Sequence, residues 1–455
     1  MKQSRLGIAA GAAALLGGCA LYHPLPLAHG PDLAGQLSSL RTQVPATEPD
    51  ATPRRIDVDK PLSLDDVGLL AVLNDPELRS ELGQTDVAQA NLLQSSLLPN
   101  PSASVSYTPI LGGTDVAPAW AASLSEDVKA ILTYHTRKKS ARLAVQQVNA
   151  NLLWQEWQVA QKARLLALDL YYGQQSLDLS RRELDLLDRE VKEVQAATEA
   201  GNLDLTALAP LLAAKATAEQ SVAALGLTQL QNWQALDALL GLDPRVRFGI
   251  TAPALPPPPT DLTALLNDLP DRRPDLVALQ LGYRSADEDV RSAIIGQFPA
   301  LALGGEWGQD TSNVRSAGPA ATFDLPIFDR NQGQVAQSRA TRLLLHEQYQ
   351  SRLDDAFGSA KGLDAQIRRL TEDARNASTA AAEAERISES AQKAYAQGNM
   401  DQRALADFET TALERRIEAL ALARSLGETQ ITLTVDLGLG LPRTRIAPAE
   451  HPRKS

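Results

Sequence analysis

A mainly α-helical protein with a small β part, its layout repeated along the chain, is the fold the sequence predicts. Three observations point to it. Only 4% of the 455 residues are aromatic, while Ala, Leu, Gln and Glu abound, a composition of long helices. Two stretches of some 65 residues lack proline and carry apolar residues at heptad spacing. Three motif pairs recur about 200 residues apart, in register with one another.

The chain opens with Lys2 and Arg5, then an apolar, alanine-rich stretch from Leu6 to Leu16, then the string LLGGC ending at Cys19. A basic start, a short apolar core and a small-residue cleavage site read as a secretory signal. With cysteine at the cleavage point the string resembles a bacterial lipoprotein lipobox. The resemblance implies cleavage before Cys19, a lipid on its sulfur and a chain tethered to a membrane facing the periplasm. Ala20 is not the aspartate that retains such lipoproteins in the inner membrane. The alternative is a buried cysteine in an ordinary signal. Residues 1–18 are thus expected to be the signal peptide and 19–60 a lipid-anchored lead segment.

Net charge is −11, and losing Lys2 and Arg5 with the signal takes it to −13. An acidic chain cannot neutralise phosphates, so nucleic acid is not an expected partner. A single cysteine excludes a disulfide framework and a thiolate cluster. No apolar stretch after the signal approaches the roughly 20 residues of a spanning helix. Any passage through a membrane must use β-strands.

The first repeat is expected over 61–250. Its opening helix runs roughly from Ser63 to Leu97, and Pro99 and Pro101 stop it and admit the chain to a strand pair near 100–128. Ala103, Val105 and Tyr107 alternate with Ser102, Ser104 and Ser106; Trp120, Ala122 and Leu124 alternate with Ala121, Ser123 and Ser125. This period of two gives one apolar and one polar face. Each segment is near the 9–11 residues of a tilted membrane strand, although a soluble sheet covered on one side would look alike. A helix follows from Tyr134 to about Glu199. Its seam is Ala163, Leu166, Leu170, Gly173, Leu177, Ser180, Leu184, Leu187, Val191 and Val194. At 1.5 Å per residue it reaches about 100 Å. Gly201 and Asn202 turn the chain, because glycine accepts the left-handed geometry that ends a helix. A shorter helix returns near 204–240; Pro210 either kinks it or marks its start.

Residues 251–260 form a proline-rich linker. The second repeat, 261–440, says these things again. LPDRRPDLVAL answers LNDPELRSEL, GQFPALALGGEW answers LLPNPSASVSY, and QGNMDQRAL answers AGNLDLTAL. Pro299 and Pro326 bracket the strands near 299–327, where Leu301, Leu303 and Trp307 alternate with Ala300, Ala302 and Glu306. A long helix from about Val335 to Ala396 turns at Gly398 and Asn399 and returns near 402–428. Residues 441–455 are a polar tail.

LNDPELRSEL, the LLPNP strand entry, FDLPIFDRNQGQVAQ (Phe323 to Gln337) and the paired Gly-Asn turns resemble the TolC-like outer membrane factors, nearest to lipoprotein channels of the cobalt–zinc–cadmium efflux type. The resemblance covers Pro61 to Leu439. It implies a homotrimer: four strands per chain in a 12-stranded barrel among outer membrane lipids, and antiparallel coiled-coil helices building an α-barrel across the periplasm. A periplasmic adaptor and an inner-membrane pump would be its partners. The physics runs the same way. Four strands cannot close a barrel, and open sheet edges are not tolerated in lipid, so the chain must recruit copies of itself. The Ser and Gly faces would then line water, and the apolar faces would meet lipid.

Enzymatic chemistry finds no foothold. His23, His29, His135, His346 and His451 show no ligand spacing, and there is no nucleophile motif, phosphate loop or acid–base pair. No cofactor is expected. Gly201, Asn202, Leu203, Gly398, Asn399 and Met400 cap helices, and an exposed Leu or Met at a hairpin tip also suggests adaptor docking. Asp401 and Asp407 follow the second turn; in the family, acidic residues there ring the periplasmic aperture. Their bland role is that of surface carboxylates favoured by a helix N-terminus, as for Asp204. The expected function is passive export. The alternatives are a type I protein-secretion duct, or a coiled-coil adaptor or scaffold lipoprotein, which would not need four alternating strands.

Overall fold

The computed structural model describes residues 22–44, 54–114, 116–255, 257 and 259–440. Two long helices dominate: α3 (Val128–Glu199), preceded by α1 (Leu64–Asn74), α2 (Pro76–Ser95), β1 (Ser102–Thr108) and β2 (Ala119–Asp127), and followed by α4 (Leu208–Leu240). The second repeat adds the short α5 (Leu262–Asn267) and α6 (Leu269–Arg272), then α7 (Pro274–Ile295), β3 (Leu301–Gln309), β4 (Arg315–Phe323), α8 (Gln332–Ala396) and α9 (Gln402–Asp436). With 72 and 65 residues, α3 and α8 each reach about 100 Å.

The expected helix from Ser63 to Leu97 is two helices. Asp75 breaks it: its carboxylate accepts from the N–H groups of Glu77 and Leu78, and Pro76 occupies the first helical position. A proline there loses no hydrogen bond and brings a preset φ, so it starts a helix well. Ser63 caps α1 in a reciprocal box with Asp66. Pro210 likewise sits in the first turn of α4 and does not kink it.

None of the ten expected seam positions of α3 is exposed; Ala163 and Leu170 are at most 2% accessible. Both α2 and α4 pack along α3, while α7 and α9 from the other repeat pack on it as well. The repeats therefore interlock. Where α3 crosses α7, the Ser285 hydroxyl donates to the Ser140 carbonyl at 3.0 Å, a close approach that small residues permit. One apolar cluster joins α1, α3 and the end of α4 through Leu70, Leu168 and Leu240; a second joins α6, α7, α8 and α9 through Leu269, Leu276, Ile367 and Leu433. Extended lead segments are laced to the first: Ala34 pairs with Leu242, and Leu62 with Ile250.

Apart from the two-residue pair Gln43–Val44 with Arg54–Arg55, four longer strands form one antiparallel sheet in the order β1-β2-β3-β4. Ala103, Val105 and Tyr107 pair with Leu124, Ala122 and Trp120, and Ser104 pairs with Ser123. Ala122 in turn pairs with Trp307, and Leu301 with Phe323. The apolar faces of all four strands therefore coincide. Among the described residues no helix is long and apolar enough to cross a membrane.

Candidate functional site

The turns are built alike. Gly201 has φ +77° and Gly398 +74°. Asn202 N–H donates to the Ala197 carbonyl at 2.8 Å and Gly201 N–H to Thr198 at 2.9 Å; Asn399 donates to Ala394 at 2.9 Å and Gly398 to Tyr395 at 2.9 Å. This paired six-to-one and five-to-two closure satisfies the last carbonyls of each long helix. A Cβ at either glycine would meet nothing, so the backbone conformation alone demands glycine.

Beyond the glycines the turns diverge. Asp204 accepts from Thr206 N–H at 2.8 Å and opens a single 3-10 turn, Leu205–Ala207, before α4 begins. Asp401 accepts from Ala404 N–H at 2.8 Å and caps α9 directly. Leu203 is 42% exposed, but Met400 is half-buried rather than exposed. Leu205, which the sequence reading passed over, is 72% exposed and is the more prominent apolar group at the tip. Its counterpart is Gln402, which donates to Glu193 of α3 at 2.5 Å. The mismatch between Leu205 and Gln402 was the available signal. Asp407 is exposed and close to Glu190, whose carboxyl is pushed up by burial and then by Asp407. Arg403 opposes this upward push, and Glu193 adds to it.

At the sheet end, the proline pairs occupy the junctions between helices and strands. Pro99 and Pro101 lie between Ser95 and Ser102, Pro299 between Ile295 and Leu301, and Pro326 between Phe323 and Gln332. A further residue of this junction is Asn331, at φ +61°. Its side-chain amide donates to the Ala293 carbonyl at 2.8 Å and clips the start of α8 to the end of α7. Gly296 makes room, since a Cβ there would come 2.5 Å from that amide. Cys19 lies outside the described residues, as does the 441–455 tail.

Midway along the helices, Arg424 of α9 bridges Asp169 of α3 at 2.9 Å and Glu428 at 2.7 Å. Burial, and a hydrogen bond shared with Glu428, push the Asp169 carboxyl up to about 7 despite the guanidinium.

Residues 265–439 match the outer membrane efflux protein family. This match covers the second repeat; the first shares its order of helices, strand pair, long helix, glycine turn and return helix, but differs in the number of helices before the strands and in the 3-10 turn after Gly201. Over residues 265–439 the chain is similar to the outer membrane efflux proteins. It is 28% identical over 145 residues to the outer membrane protein OprJ of Pseudomonas aeruginosa, a stretch covering 28% of this chain and 29% of OprJ. The chain thus aligns with less than a third of that relative. In fold it is similar to the channel-forming protein CusC, with a TM-score of 0.66 and 16% identity over 83% of this chain and 92% of CusC. It is similar to the Campylobacter jejuni outer membrane channel CmeC, at 0.67 and 16%, over 84% and 87%.

Proposed function

We propose that the protein is the outer membrane channel of a tripartite efflux system. It would conduct solutes passively from an inner-membrane pump and a periplasmic adaptor to the exterior. One observation carries this reading. A four-stranded sheet, apolar on one face and small and polar on the other, keeps both β1 and β4 unpaired at its edges. Such edges cannot stand in lipid. Three copies supply twelve strands, an even and closed number that leaves a lumen. The helices beneath then enclose a periplasmic tube.

In this reading Cys19 carries the lipid, and the six turn residues Gly201, Asn202, Leu203, Gly398, Asn399 and Met400 face the adaptor, with Leu205 beside them. Asp401 and Asp407 stand near the aperture, where a threefold copy concentrates negative potential. The family matched over residues 265–439 is one of outer membrane efflux proteins, which supports this reading.

Expression in cells lacking their own channel tests the proposal. The intact protein should restore export of a toxic solute when its pump and adaptor are present. Cys19→Ser should lose lipid labelling but retain much of that export, since strands also hold the protein in the membrane. Asp401→Asn with Asp407→Asn should reduce cation preference while export persists. Intact trimers that restore no export would refute the channel reading.

A further inference from the structure

Glu306 stands apart in the sheet. It lies at the centre of β3 on the small, polar face, paired in register with Ser123 on one side and Gly318 on the other. Two residues away along the strand, on the same face, are Gly304 and Gly308. Those glycines are required: a Cβ on Gly304 would lie 2.0 Å from the Leu124 carbonyl oxygen, and one on Gly308 2.9 Å from that of Trp120. Close approach of β2 thus keeps bare backbone on both sides of Glu306. Across Ser123, the hydroxyls of Ser104 and Ser123 are 2.9 Å apart, spent on one another.

Two consequences follow. Glu306 is the only long side chain on a face otherwise made of Ser, Gly, Ala and Thr, apart from Asp127 at the end of β2. It is also exposed and makes no hydrogen bond or ion pair among the described residues. Asp127 is engaged already, accepting from Ala130 N–H at 3.1 Å as the cap of α3.

We infer that Glu306 is a selectivity residue of the strand barrel: three copies form a ring of carboxylates that is its narrowest section and favours cationic solutes. The inference rests on the channel reading above, because one copy makes no ring. A carboxylate ring between low-dielectric walls attracts cations and repels anions. Glycines and serines on every side leave the charge uncompensated. This ring is distinct from the acidic tips, which lie at the other end of helices about 100 Å long.

The test is single-channel recording from purified full-length trimers in a planar bilayer with a salt gradient. The expected wild-type reversal potential is cation-selective. Glu306→Gln should lower the cation-to-anion permeability ratio roughly threefold, and Glu306→Lys should invert the preference. The acidic tips are unchanged in both variants. A parallel arm uses Glu306→Cys in a Cys19→Ser background. A charged, membrane-impermeant thiol reagent should label it from outside, while Trp307→Cys on the opposite face should resist. Conducting trimers whose selectivity is unchanged by Glu306→Gln would overturn the inference and leave the channel standing. Trimers that never conduct, with position 306 unlabelled, would overturn the channel reading itself.

Discussion

The helical shaft and the strand sheet obey opposite rules. Along the shaft the seam of α3 is covered within one chain, by α2, α4, α7 and α9. In the sheet every residue of β1 is exposed, and Val105 and Tyr107 are 81% and 66% accessible. The seam of α3 is thus closed within the chain, whereas the apolar face of the sheet and its edge strands β1 and β4 are left open. Mutations should therefore separate folding of the chain from assembly in the membrane.

The largest effect is expected inside the shaft. Arg273 donates to both oxygens of Asp275, at 3.0 and 2.7 Å, and to the Asp436 carbonyl, and it stacks on Trp154 at 4.7 Å. Both members of the pair are buried. Arg273→Ala leaves the buried carboxylate only the longer contact with Arg352 at 3.8 Å and should cost up to about 3–5 kcal/mol, lowering the level of folded chain. Replacing the pair together by Met and Leu should recover most of that loss, as thermal melts would show.

The sheet should respond by face. Leu124→Arg puts a charge on the apolar side in the middle of β2, at a cost of about 2–4 kcal/mol in lipid. Membrane-inserted protein should fall, with the helical content of the remainder unchanged by circular dichroism. Ser106→Arg, on the polar face, should insert normally. Equal losses from both would show that the faces do not divide lipid from water.

The turns should be gentler still. Gly201→Val or Gly398→Val forces a branched residue into left-handed geometry at about 1–2 kcal/mol. Export should drop while trimer yield stays near normal. A charge at Leu203, Leu205 or Met400 should weaken crosslinking to the adaptor, least at the half-buried Met400.

A pH dependence is expected as well. The folded-state pKa of Asp169 is raised from 3.8 to about 7. Its contribution to stability is therefore fully present below about pH 4 and lost as pH rises through about 7. The melting temperature should decline over that window in the wild type and less in Asp169→Asn. Parallel curves would assign the slope to other groups.

Much of this architecture was legible because it rests on periodicity and on backbone chemistry. Heptads announced α3 and α8, alternation announced four strands, and glycines marked both turns by the one conformation only they adopt readily. What escaped depends on partners distant in sequence. The break at Asp75 needed the knowledge that its carboxylate would cap rather than face solvent. The clip from Asn331 to Ala293 joins elements 38 residues apart. Burial of Met400 and exposure of Leu205 follow from how each return helix starts, through a 3-10 turn in one repeat and a direct aspartate cap in the other. The charge of Glu306 was visible, but its isolation emerged only from the register of β2, β3 and β4.

The difference between shaft and sheet reduces to one quantity, the number of chains that share a closed set of strands. Native mass spectrometry of the protein extracted from outer membranes in mild detergent measures it directly. Three chains per particle, with no folded monomer released into detergent-free buffer, is the result expected. A folded, monomeric and water-soluble chain would contradict the barrel and leave a periplasmic scaffold in its place.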